Sequence, residues 1–373
     1  MSWETILQDS ISTVDDLAEY LDVKENDKVI LEEICQNHPI RISKYYLSLI
    51  DKSDEEDPIR KLSIPLTHES YLEGSYDTSG EKSNTVLLGL QHKYKQTAVI
   101  LATNECAMYC RHCFRKRLVG IDTNEVIQDI QSAVDYIQNH REINNVLITG
   151  GDPFVLSNNR IEEFLATLTE IDHLDFIRFG TRVPVTFPKR IISSNHFTDM
   201  LESYTRKKRL YVVTQFNHPR EITEESIQAC NQLQEVGITI SNQTVLLRGI
   251  NDDPDIMTQL QRDLVRIGVI PYYIFQCRPV KRVKKHFQVP LHEGCRIIQE
   301  TRRKLDGHTK RFRFIMSHPT GKVEILGIDN GKFFFKYHQA KDPRNTGRIF
   351  SRPVDKTSTW LDDLNQDMKN QSN

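Results

Sequence analysis

From about residue 98 onward, short apolar runs alternate with amphipathic stretches. The runs at Ala98–Ala102, Asn145–Ile148, Phe176–Phe179, Leu210–Val213, Ile238–Ile240 and Ile270–Phe275 are too short for helices and read as buried strands. Between them, residues 125–139, 160–170, 224–235 and 255–267 carry apolar positions at helical spacing. This alternation predicts βα units on a parallel sheet, and six such units predict a partial (β/α)6 barrel of the α/β class. Residues 1–85 look helical and irregular, with a polar loop over Tyr76–Asn84. Beyond about residue 305, short strands are expected at 311–315, 322–326 and 333–337, with turns such as Asp329-Asn330-Gly331. The expected organisation is an N-terminal helical extension (1–90), a barrel core (91–305) and a small C-terminal β-rich extension packed on it (306–373). The last dozen residues are polar and expected to fray.

Composition narrows the class. Of the 373 residues, 38% are hydrophobic and 27% charged, and the net charge is −2, which fits a globular protein and argues against a nucleic-acid or membrane surface as main partner. The start, Met1-Ser2-Trp3-Glu4-Thr5, lacks a signal-peptide pattern, and no stretch reaches transmembrane length. Two basic runs, Arg115-Lys116-Arg117 and Lys281-Arg282 with Lys284-Lys285, read by themselves as solvated faces. Cys35, Cys230, Cys277 and Cys295 are scattered singly, so they imply small buried hydrophobes and no disulfide framework. Unpaired thiols point to a reducing cytoplasm.

The other three cysteines carry chemistry. Cys106, Cys110 and Cys113 stand in C-x3-C-x2-C spacing directly after the first barrel strand, at the strand end where barrel chemistry sits. Three thiolates can hold three irons of a [4Fe–4S] cube and leave the fourth iron open to a ligand. A zinc site is the alternative, but zinc favours paired C-x2-C clips with two further ligands, and only His112 accompanies the loop. The spacing resembles that of radical S-adenosylmethionine (SAM) enzymes.

Further matches make the resemblance specific to the lysine 2,3-aminomutase (KamA) family. They are Tyr45–Asp51, Asp57-Pro58-Ile59-Arg60-Lys61, Phe114–Arg117, Thr149-Gly150-Gly151-Asp152, Arg182–Val185 with Pro188–Arg190, Phe216–Pro219 with Glu221–Ser226, Asn242–Gly249 and Pro271–Cys277, spread from about residue 38 to 325. The resemblance implies a [4Fe–4S] cluster on Cys106, Cys110 and Cys113. It implies reductive SAM cleavage to a 5′-deoxyadenosyl radical, with a flavodoxin- or ferredoxin-like electron donor, and 2,3-amino migration on an amino acid with pyridoxal 5′-phosphate. It further implies SAM contacts from Gly150, Gly151, Asp152 and Gln243, and an Arg115 contact to the substrate α-carboxylate. Lys322, in Ser317-His318-Pro319-Thr320-Gly321-Lys322, matches the lysine that carries pyridoxal phosphate. A radical SAM enzyme of the same branch without pyridoxal phosphate, and a SAM-binding iron–sulfur sensor, stand as alternatives.

The chain departs from the family at four places. The glycine-rich turn before the lysine is reduced to Thr320-Gly321. In His92-Lys93-Tyr94-Lys95-Gln96-Thr97 the family's phosphate-binding arginines are replaced, leaving Lys93, Lys95 and Tyr94 as candidates. The two aspartates that hold the distal ammonium of lysine are absent: Arg278 takes one position, and Ile315–Ser317 offers no carboxylate at the other. Arg278 would repel a lysine side chain and suits an anionic distal group such as that of glutamate. Finally, Asp253 stands where some members place a zinc-binding cysteine, so no structural zinc is expected, and a homo-oligomer would need another surface.

Overall fold

The computed structural model describes residues 2–21, 23–193 and 195–365. Its frame is one sheet of 12 strands in sequence order. They are β1 (Thr85–Leu87), β2 (Leu90–Tyr94), β3 (Thr97–Thr103), β4 (Asn145–Gly150), β5 (Phe176–Gly180), β6 (Arg209–Thr214), β7 (Thr239–Leu246), β8 (Ile270–Gln276), β9 (Arg313–His318), β10 (Gly321–Asp329), β11 (Lys332–Ala340) and β12 (Ile349–Pro353). β3 to β9 run parallel, while β1–β2 and β10–β12 add antiparallel at the two ends. The segment after 305 therefore continues the barrel sheet instead of packing on it as a separate layer. The sheet curls: Lys93 Nζ on β2 reaches His318 O at the end of β9, 2.8 Å away.

Strand alternation explains the shape. Val146, Ile148, Ile177, Phe179, Val212 and Ile240 are buried in the hydrophobic core. Their neighbours Leu147, Arg178 and Val213 line a central cavity, joined by Gln243 further along β7. The helix expected over 125–139 spans Ile130–Asn139, because Asp129 caps it and Ile127 N donates to Leu101 O at 2.8 Å, tying residues 125–129 to the barrel. Asn330 and Gly331 both have positive φ, as the expected two-residue hairpin between β10 and β11 requires. Leu364 is buried, so the tail expected to fray is packed at its start; residues 366–373 lie outside the described residues. No helix among the described residues is long and apolar enough to cross a membrane.

The N-terminal extension clamps the cysteine loop from below. Glu69 accepts from Arg111 (2.7 Å from Nε and 2.7 Å from Nη2) and from Lys116 Nζ (2.7 Å), with all three side chains buried. Burial alone would raise the Glu69 carboxyl, but Arg111 and Lys116 overcome it and hold it at about 2. The run Arg115–Arg117 is thus a buried ion-pair network, not the solvated face that its composition suggests. Glu69→Ala leaves two loop cations buried without a counter-charge, and is expected to lower unfolding stability by about 3–5 kcal/mol in denaturant titrations. The depressed carboxyl contributes stability above the ordinary glutamate value. That contribution is lost as pH falls from about 4.5 to about 2, so the wild type should weaken across that window more than the variant.

Candidate active site

Of the site residues singled out from the sequence, all but Lys95 face one cavity of about 460 Å³ in the hollow of the sheet. The loop after β3 forms part of its wall. Cys106, Cys110 and Cys113 are free thiols on its wall. Arg115 N donates to Cys113 Sγ at 3.3 Å, and Arg182 Nη1 donates to Cys110 Sγ at 2.6 Å. Burial, followed by the neighbouring Cys110, pushes the Cys113 thiol up to about 11; burial and Asp152 push Cys106 well above its usual value. Thiols in that state lose their protons readily only to bound metal. Among the described residues, no group of three His, Cys, Asp or Glu side chains converges on a single-ion site. A cube, whose irons sit at separate corners, takes thiolates farther apart than one zinc does, so the loop fits a cluster better than zinc.

Arg182, Glu221 and Glu81 belong to this site and were not singled out as functional from the sequence. Arg182 donates to Gln215 O (2.9 Å) and to Glu221 Oε1 (2.5 Å), and Tyr46 holds the same Glu221 oxygen at 2.6 Å. Burial would lower the Arg182 guanidinium, but Cys110 and Glu221 outweigh it and raise it above its ordinary value. The only available signal for Arg182 was its place in a matched motif, next to Val183-Pro184-Val185.

Gly150 and Gly151 end β4 where the cysteine loop begins. A Cβ on Gly150 would stand 2.4 Å from Thr103 O, and one on Gly151 would stand 2.3 Å from Glu105 O. The glycine pair is therefore demanded by the cysteine loop's own backbone, which it bonds through Gly151 N to Thr103 O (2.5 Å) and Asp152 N to Glu105 O (2.7 Å). Asp152 accepts from Phe154 N (3.0 Å) and Arg182 N (2.6 Å), so each carboxylate oxygen already serves a backbone amide and keeps one acceptor position in hand. Gln243 projects from β7 into the same space.

Further in, cations gather. Lys322 on β10 lines the cavity, and its nearest aromatic face is Tyr273, 4.9 Å from Nζ to the ring centroid. Burial, then Arg178, Arg278 and Lys93, bring its amine down to about 7. Lys93 donates to Ser79 O (3.1 Å) and His318 O (2.8 Å), and burial followed by Arg278 lowers it to about 8. Arg278 stacks on Phe114 at 4.0 Å and donates to Ser317 Oγ at 2.9 Å, while its Nη1 is buried without a partner. Arg115 is engaged with Glu81 Oε1 (3.1 Å), Thr149 Oγ1 (3.4 Å) and Gly150 O (3.3 Å). Glu81 also takes Arg117 (2.6 Å); burial would raise its carboxyl, but Arg115, Arg278 and Arg117 hold it at about 2. Lys95 is exposed in the turn before β3 and does not face the cavity. Asp253, the position of a family zinc ligand, caps the helix Pro254–Arg266 by accepting from Asp255 N and Ile256 N.

A thiol trio at the strand ends of a curled parallel sheet, opening on a largely apolar cavity set with buried cations, defines a radical SAM enzyme, and residues 100–260 match the radical SAM superfamily. A protein of Aquifex aeolicus (strain VF5) is 40% identical over 347 residues, 92% of this chain and 92% of that one. The L-lysine 2,3-aminomutase of Clostridium subterminale is 37% identical over 325 residues, covering 86% of this chain and 76% of the relative. The glutamate 2,3-aminomutase of Clostridioides difficile (strain 630) is 41% identical over 298 residues, covering 79% and 69%. The chain belongs to the lysine 2,3-aminomutase family of radical SAM enzymes and is an isomerase of the amino-acid 2,3-aminomutase type. That family membership implies a [4Fe–4S] cluster, SAM and a small amino-acid substrate.

Proposed function

We propose that the enzyme moves the amino group of an acidic α-amino acid, L-glutamate first, from carbon 2 to carbon 3. Cys106, Cys110 and Cys113 would ligate the cluster, with Gly150, Gly151, Asp152 and Gln243 around SAM and reduction by a flavodoxin- or ferredoxin-like donor. Lys322 would carry pyridoxal phosphate, with Lys93 and Tyr94 beside it. When bound, these groups supply a 5′-deoxyadenosyl radical and the conjugated system that lets nitrogen migrate. The carrying observation is the charge balance. Lys93, Arg178, Arg278 and Lys322 face the cavity, and the two carboxylates that line it are already engaged, Glu81 by Arg115 and Arg117 and Asp152 by backbone amides. Such a cavity favours anions and opposes the cationic side chain of lysine.

The chain's own residues then do three things. Lys322 keeps an unprotonated amine near neutral pH, the state in which a lysine can bind a carbonyl. Arg115 takes the substrate α-carboxylate in exchange for Glu81, and the unpaired Nη1 of Arg278 takes the distal one as a charge-assisted bond. The apolar walls Val99, Leu147, Val213, Val245 and Phe275 exclude water from a reactive radical. Arg278→Asp is expected to raise KM for glutamate by at least about 30-fold, the loss of a buried charged hydrogen bond. An amino-acid panel on the wild type checks the substrate: glutamate should convert and lysine should not, and turnover of lysine with glutamate inert would refute the assignment.

A further inference from the structure

Arg178 has no part in the cluster chemistry, yet it occupies the inner cavity. It lies in β5 between Ile177 and Phe179, both buried in the core, so its side chain points into the cavity. Its Nη2 donates to Asn145 Oδ1 at 2.5 Å, and Thr97 Oγ1 donates to the same oxygen at 3.3 Å. Its Nε is buried with no partner, and no ion pair engages it among the described residues. The acidic side chains on the cavity wall are taken: Glu81 by Arg115 and Arg117, Asp152 by backbone amides. A guanidinium buried with idle donors is costly unless an anion joins it, and its fork matches phosphate. Arg178 is the foremost cation acting on Lys322, ahead of Arg278 and Lys93. Arg278, by contrast, is fixed on Phe114 and Ser317.

We propose that Arg178, seated on Asn145, binds the phosphate group of pyridoxal 5′-phosphate held at Lys322; this rests on the assignment of that cofactor to Lys322. Arg178 thereby supplies cationic charge on the wall where Thr97 is neutral, and Lys93 is the second cation for the dianion. The test uses the full, cluster-loaded chain under anaerobic conditions, at a pH above the Lys322 titration. Wild type, Arg178→Met and Arg178→Lys are titrated with pyridoxal 5′-phosphate or with pyridoxal, trapped with borohydride and analysed by peptide mass spectrometry at Lys322. The wild type should half-saturate with the phosphorylated aldehyde at a concentration about 10- to 100-fold below that for pyridoxal, the span of a charged hydrogen bond. Arg178→Met should erase most of that preference while its pyridoxal trapping stays within about twofold, which also shows that the variant is folded. Arg178→Lys should restore part of the preference. An Arg178→Met protein that keeps the wild-type preference, or that loses both ligands equally while keeping its iron, overturns the proposal. A wild type that traps both aldehydes alike at Lys322 also overturns the phosphate subsite but leaves the Lys322 assignment standing. No adduct at Lys322 with either aldehyde overturns the assignment and this inference with it.

Discussion

Lys322→Ala is expected to lower amino migration by on the order of 10^4-fold or more, the scale on which loss of a covalent nucleophile is felt. Cluster content and reductive SAM cleavage should survive, because Lys322 lies on β10 while the cysteine loop follows β3. Chromatographic separation of the α- and β-amino acids reads the first quantity, and 5′-deoxyadenosine formation reads the second. The same lysine has a stability signature. Burial, Arg178, Arg278 and Lys93 lower its folded value to about 7 from an ordinary 10.5. Between those values the unfolded chain holds a proton that the folded chain lacks, so stability rises with pH from about 7 to about 10.5. Below about 7 the folded state must bury a fourth cation, and Lys322→Met, which removes that burden, should unfold at higher denaturant there than the wild type. A variant more stable and catalytically dead marks a residue kept for chemistry. Full amino migration by Lys322→Ala would remove the lysine from the mechanism.

Cys110→Ser is expected to abolish the cluster's visible absorption, most of the bound iron and all detectable 5′-deoxyadenosine. Cys110 is the thiol that Arg182 faces at 2.6 Å, within a network that reaches Glu221 and Tyr46. A serine oxygen can still accept from Arg182, so the fold should hold, and the loss falls on iron affinity, where a thiolate is the better ligand. The measurement is iron content with anaerobic SAM cleavage. Undiminished cleavage by the variant would exclude the cysteine loop as the cluster site.

The parts of this site that the sequence disclosed are those with a local signature. The cysteine spacing, the short apolar strands and the lysine after Gly321 are all set by neighbours within a few residues. What stayed hidden depends on pairs far apart in the chain. Glu69 with Arg111 and Lys116, Glu81 with Arg115, and Arg182 with Glu221 each join segments that no periodicity connects. Glu81 lies in a stretch whose polarity reads as a loop, yet it is buried against the cavity. Arg178 did leave a trace, since a charge inside an otherwise apolar parallel strand is rare unless the interior is polar. At Gly150 and Gly151 the reason for the missing side chains is also long-range, since a Cβ at either would meet the backbone of the cysteine loop.

The most direct test of the account is one anaerobic reaction of reduced enzyme with SAM, pyridoxal phosphate and L-glutamate deuterated at carbon 3. The account predicts 3-aminoglutarate as product and deuterium in the recovered 5′-deoxyadenosine, with no product from L-lysine under the same conditions. Unlabelled 5′-deoxyadenosine and unchanged glutamate, or conversion of lysine in its place, would contradict it.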